Sequence, residues 1–183
     1  LFIVKEEASK RQLLEKLLQE HRGAILLFAR TKIRARRITR MLKDMRHNVA
    51  EIHSDRTMGQ RKEAIEGFKS GRFRVLVATD IASRGIDVKN IQLVINYDLP
   101  EDVENYVHRI GRTGRAGHTG HAITFATPEQ GSVVRDIERL IRVSLPIAKH
   151  PEFTTEGFTK PSVRSFSPRR SFGGRQHQRR RRY

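Results

Sequence analysis

At 183 residues the chain has room for one folded body and an appendage. Its 37 Lys and Arg outweigh 20 Asp and Glu, and a net charge of +17 points to a polyanionic partner, with nucleic acid first. The absence of cysteine excludes a disulfide framework and a thiolate metal site, and no apolar run approaches the ~20 residues of a membrane span.

Leu1-Phe2-Ile3-Val4 reads as a short entering strand. Ser9 is placed to cap a helix running to about Arg22, with Leu13, Leu14, Leu17 and Leu18 in one apolar stripe and Gly23 at its end. Ala24 to Ala29 is a continuous apolar run, the pattern of a strand buried on both faces of a parallel sheet. After Thr31, the residues Ile38, Met41, Leu42 and Met45 recur at helical spacing, and Arg34, Arg36, Arg37 and Arg40 are expected on a solvated face. Asn48 to His53 is the next strand, with His53 a structural residue at its end. Thr57 and Gln60 then stand at capping-box spacing ahead of a helix that buries Ala64, Ile65 and Phe68. Gly71 closes that helix.

Phe73 to Thr79 and Ile91 to Tyr97 are two further strands. Glu101 and Asp102 open a helix where its dipole favours negative charge, and the helix runs through His108 and Arg109 until glycines end it near Arg112. Gly120 to Ala126 is the last strand. Thr127, Pro128 and Gln130 combine a cap, a first-turn proline and a capping-box partner, and the helix beyond is expected to bury Val133, Val134, Ile137, Leu140 and Ile141. Strands and helices thus alternate with short connections, which calls for an α/β fold: a parallel sheet with helices on both faces and ligands at the carboxyl ends of its strands.

The division falls between residues 1–156, the folded body, and 157–183, a basic tail. From Gly157 to Tyr183 one Lys and eight Arg face no acid, and Ser, Pro and Gly separate scattered aromatics. Such a segment buries too little surface to offset its ordering entropy and is expected to be disordered. Arginine interleaved with aromatics grips single-stranded RNA through charge, stacking and cation–π contacts.

Two blocks carry the chemistry. His108-Arg109-Ile110-Gly111-Arg112-Thr113-Gly114-Arg115 sets cations between glycines at a helix end, a way to aim guanidiniums at a phosphate. Thr79-Asp80-Ile81-Ala82-Ser83-Arg84-Gly85-Ile86-Asp87 follows a buried strand with a polar turn. A lone Gly-Arg pair would be a solvated basic turn; both blocks together, over about residues 1–150, resemble the DEAD-box RNA helicases. The likeness is nearest to the C-terminal RecA-like domain, in the bacterial type with a short basic tail.

The resemblance implies the following roles. Arg112 and Arg115 are arginine fingers on ATP, and Asp87 accepts a hydrogen bond from the nucleotide ribose. Arg30, Thr31, Arg61, Thr79 and Gly85 contact RNA, where a hydroxyl and a glycine suit close approach to the backbone. Asp80, Arg84, His108 and Arg109 hold interdomain or coupling positions. His108 stands where related helicase groups have Gln. Two positions depart from the family pattern: Ser54 replaces a usual glycine, and Met58 replaces the Gln of a Gln-x-x-Arg element, leaving Arg61 matched.

The sequence contains no Gly-x-x-x-x-Gly-Lys-Ser/Thr loop and no Asp-Glu-Ala-Asp. In this family those elements, which hold ATP and Mg²⁺, lie on a preceding N-terminal RecA-like domain, so no metal ligand is assigned here. The expected partners are therefore RNA and that domain, with no membrane; nothing sets an oligomeric state. A chain that starts at Leu1 reads as a piece of a longer protein, and its lack of cysteine fits a cytoplasmic one. Two rival readings use the same features: a stand-alone RNA-binding module, and a DNA-directed helicase of the wider superfamily.

Overall fold

A computed structural model of the chain describes residues 1–83, 85–88, 90–114, 120–149 and 157–158. Among them the elements are β1 (Phe2–Ile3), α1 (Glu7–Glu20), β2 (Ala24–Phe28), α2 (Lys32–Asp44), β3 (Val49–Ile52), α3 (Met58–Lys69), β4 (Val75–Ala78), α4 (Asp80–Ser83), β5 (Ile91–Asn96), α5 (Val103–Ile110), β6 (His121–Ala126) and α6 (Gly131–Ile141). The strands form one six-stranded sheet in the order β1-β6-β5-β2-β4-β3. Every pairing is parallel, as the unbroken apolar runs predict.

β2 lies at the centre, with Leu26 opposite Leu76 of β4 and Val94 of β5. Alternation along it splits the core. Ile25 and Leu27 pack with the α1 leucines and with Ala35, Ile38 and Leu42 of α2. Leu26 and Phe28 face the other way, toward Ala64 and Phe68 of α3 and Ala82 of α4. A third, smaller cluster gathers Leu99, Tyr106, Ala126, Val134 and Ile137 near the β1 edge, and Phe158 packs against it. A Cβ on Gly131 would stand 3.1 Å from the Phe158 side chain, so the first aromatic of the basic tail is seated on α6. The rest of the tail lies outside the described residues.

Both capping boxes form: Thr57 with Gln60 at α3, and Thr127 with Gln130 in the 3₁₀ turn before α6. Three expectations need correction. α1 begins at Glu7, not after Ser9; Glu6 precedes it with no side-chain cap, and the burial of Leu13, Leu14, Leu17 and Leu18 holds the helix instead. Leu140 is 43% exposed, because α6 packs through Val134 and Ile137, with Val133 and Ile141 partly buried beside them, and Leu140 falls outside that face. Arg34 does not belong to a solvated face. It turns inward to Asp98 and Glu7, with its guanidinium 5.4 Å from the centre of the Tyr97 ring.

Candidate nucleotide and nucleic-acid site

The chain passes from β2 to β3 and β4 on one side of the sheet and then crosses to β5 on the other. Ligands of open parallel sheets collect in the crevice at such a reversal, at the carboxyl ends of the strands. The segments after β2, β4 and β5 all emerge there.

Beyond β4 the chain makes one turn of helix, α4, which the sequence reading missed. Thr79 carbonyl accepts from Ser83 N at 2.9 Å, and Ser83 hydroxyl donates to Asp80 carbonyl at 2.8 Å. Arg61 of α3 donates to Ala82 carbonyl at 3.1 Å, so this arginine anchors the turn to α3. Gly85 follows with φ +80°, a left-handed conformation that strains other residues, and a Cβ there would meet nothing within 4 Å. Its backbone is therefore open to an incoming group. Asp87 is exposed, and Arg84 lies outside the described residues.

α5 supplies the facing wall. Asp102 caps it by accepting from Glu104 N at 3.0 Å, and Gly111 ends it. His108 is exposed on the last turn, whereas Arg109 is 1% exposed and is the largest fully buried side chain among the described residues. Its guanidinium donates to both carboxylate oxygens of Asp80, at 2.5 and 2.8 Å, to Asn96 Oδ1 at 3.2 Å and to Asp98 carbonyl at 2.6 Å. It also lies 5.0 Å from the centre of the Phe28 ring. One planar fork thus joins the ends of β2, β4 and β5, a task an ammonium cannot perform.

The loop after α5 is stitched to the loop after α4. Arg112 donates to Ile86 carbonyl at 2.9 Å, and Thr113 hydroxyl to Ile91 carbonyl at 2.5 Å. The first bond holds Arg112 beside the residue that precedes Asp87. Arg115 lies outside the described residues. Asp80, Ser83, Gly85, Asn105, His108, Arg109 and Arg112 line a cavity of about 280 Å³. That lies at the small end of the range of ligand pockets, with room for a phosphate group among the guanidinium donors. Guanidinium donors and an exposed carboxylate fit a phosphate and a ribose edge. Among the described residues no group of three or more His, Asp or Glu is arranged to hold a metal ion.

Arg30 and Thr31 sit apart from the cavity, at the end of β2. Arg30 N donates to Asp98 Oδ2 and Thr31 hydroxyl accepts from Arg34 N, both at 3.2 Å, so Thr31 is also the N-cap of α2. Asp98 was not singled out in the sequence. At 13% side-chain exposure it receives Arg30 N and Arg34 through its carboxylate and Arg109 through its carbonyl, linking the β2 end to the cavity. An acid directly after a buried strand was the available signal. Next to it, burial and a hydrogen bond to Glu7 push the Tyr97 hydroxyl far above its usual range, so it stays a neutral donor. Met58 and Ser54 are exposed, Met58 at 75%.

Fold and site together define a doubly wound parallel-sheet domain with a small polar cavity at its carboxyl edge. The chain belongs to the family "Helicase conserved C-terminal domain", which matches residues 9–117, and it is a C-terminal RecA-like domain of DEAD-box type. It is 39% identical over 173 residues to the ATP-dependent RNA helicase dbp3 of Schizosaccharomyces pombe, covering 91% of this chain and 30% of that protein. With the ATP-dependent RNA helicase DeaD of Klebsiella pneumoniae it shares 42% identity over 143 residues, covering 78% and 22%. Among solved structures it resembles the E. coli DEAD-box protein SrmB bound to regulator of ribonuclease activity A, with TM-score 0.77 and 30% identity over 84% of this chain and 94% of that one. The chain therefore spans less than a third of the length of these curated relatives.

Proposed function

We propose that this domain is the second half of an ATP-dependent RNA helicase acting in the cytoplasm. In that reading it supplies RNA-backbone contacts and arginine fingers for hydrolysis coupled to duplex unwinding or RNP remodelling. The observation that carries the reading is the Asp80–Arg109 pair. It ties the turn bearing Thr79 and Gly85 to the helix end bearing His108 and Arg112, so a pull on either loop reaches the other.

The residues divide the work by what they touch. Thr79, the open backbone of Gly85, Arg61, Arg30 and Thr31 take RNA phosphate and sugar, which sets position without reading bases. Asp87 accepts from a ribose hydroxyl. Arg112, with Arg115, meets the γ-phosphate when the N-terminal RecA-like domain closes on this cavity, and His108, Arg109, Asp80 and Arg84 transmit that closure. ATP bound with Mg²⁺, held mainly by that other domain, supplies the phosphoryl group. A guanidinium that arrives only on closure stabilises the charge of the transition state rather than the bound ground state. Residues 157–183 add sequence-tolerant RNA affinity.

The test is steady-state ATPase kinetics at saturating RNA in the protein carrying both domains. Arg112→Ala and Arg115→Ala are expected to lower kcat and leave KM nearly unchanged. Arginine fingers are worth on the order of 10³–10⁵ in GTPases, and the lower end or less is expected where two guanidiniums share the role. Arg→Lys rescues poorly. Near-wild-type kcat in both single variants and the double variant overturns the assignment.

A further inference from the structure

α2 carries Lys32, Arg34, Arg36, Arg37, Arg40 and Lys43 against a single acid, Asp44, its last residue. Arg34 is spent inward, and Lys32 and Arg36 share Asp55. Arg37, Arg40 and Lys43 are exposed, and among the described residues none of them has an acidic partner. Some exposed cations on other elements are paired. Lys69 pairs with Glu66, Arg72 with Glu63 and Arg139 with Asp136.

This charge is held against the helix's own stability. Lys32/Arg36 and Arg36/Arg40 stand four apart, and Arg37/Arg40 and Arg40/Lys43 three apart, so like charges neighbour one another on one face. The first turn contains no acid and carries cations where the macrodipole favours anions. Stability alone would alternate the signs.

We propose that the outward face of α2 is a second RNA-backbone track, continuous with the candidate site and resting on its reading as an RNA site. α2 begins at Lys32, directly after Arg30 and Thr31, and runs from the carboxyl edge of the sheet for about 16 Å to Lys43. The ridge of Arg36, Arg37, Arg40 and Lys43 offers a row of cations at which a phosphate backbone can lie. A protein partner would need a buried apolar or aromatic anchor, and Ile33 is the one exposed large apolar residue on α2. A membrane surface would need a free apolar face, whereas Ala35, Ile38 and Leu42 are committed to the core.

The experiment measures binding of the whole chain and of its Arg37→Gln/Arg40→Gln variant to single-stranded RNAs lengthened stepwise from about 6 to about 20 nucleotides. The shortest RNA is expected to bind both proteins equally. The gain in affinity with length shrinks in the variant, and its log–log salt slope on long RNA is shallower by up to about 1.4, at ~0.7 per lost contact. Thermal unfolding without RNA is expected at an equal or higher midpoint in the variant, since repulsion is relieved. Equal length dependence and slope in the two proteins overturns the track and leaves the site reading intact. Equal weakening at every length, the shortest included, overturns it as well, in favour of a diffuse field. No binding of any RNA by the unmodified chain overturns the site reading and the track together.

Discussion

Arg109 shows how one side chain can be structural and still belong to the site. Its four hydrogen bonds end on Asp80 in the turn after β4 and on Asn96 and Asp98 at the end of β5, so it fixes the loops before any ligand arrives. Arg109→Ala leaves the Asp80 carboxylate without its guanidinium. Breaking a buried pair costs about 3–5 kcal/mol, and the lower end is expected because Asp80 is itself 20% exposed. Urea unfolding measures this, and Arg109→Lys is expected to recover little, because one ammonium cannot reach all four acceptors. A second residue sets a pH dependence. His47 Nδ1 faces Arg74 at 3.1 Å, and burial, reinforced by that cation, lowers the His47 pKa from its ordinary value. The unfolded chain therefore takes up this proton more readily than the folded one. The stabilisation is complete above the unfolded pKa of about 6.5 and is lost as pH falls through the lowered folded value. The urea midpoint is thus expected to drop between about pH 7 and 5 by less in His47→Gln than in the unmodified protein.

At the level of elements, the third cluster is the part most exposed to substitution. Phe158 closes it against Gly131, Val134 and Ile137 from outside the sheet. Full burial of Phe makes truncation to Ala cost about 3–5 kcal/mol, and a half-buried ring is expected to cost about half of that in urea unfolding. A variant of unchanged stability would mean that the ring adds nothing to α6. The same elements show what a sequence discloses. β2, β4 and β5 were legible as apolar runs because a parallel strand buried on both faces has no polar alternation to confuse it. The capping boxes of Thr57 and Thr127 were legible because their partners lie three residues away. α4 was not, since four residues are too few to show a period. Nor was the inward turn of Arg34, whose partner Asp98 is 64 residues distant. The positions proposed for the site came from motif likeness. The burial of Arg109 and the junction at Asp98 came from tertiary contacts with no local trace.

For the molecule as a whole, a body that is itself net basic is followed by a tail whose eight arginines and one lysine lie beyond Phe158. Truncation after Phe158 keeps the ring on α6 and removes those cations, so RNA affinity and folding can be separated. The log–log salt slope of RNA binding is expected to flatten by up to about 6 while the thermal midpoint stays in place. Unchanged affinity and slope would make the tail a solubilising segment. The sheet edge at β1 has a mechanical meaning too. Leu1 is bonded to Pro146 and Ala148, and β1 holds β6 by only two residue pairs. Leu1 and the segment Pro146 to Ala148 that follows α6 therefore lie side by side at this margin. Tension applied to Leu1 against that segment would not stretch the central strands along their length. It would open the β1 margin one bond at a time, like a zip, and yield there at low force. The Asp80–Arg109 junction is tied to the ends of β4 and β5 rather than to β1. Peeling at that margin therefore leaves each bond of the junction in place.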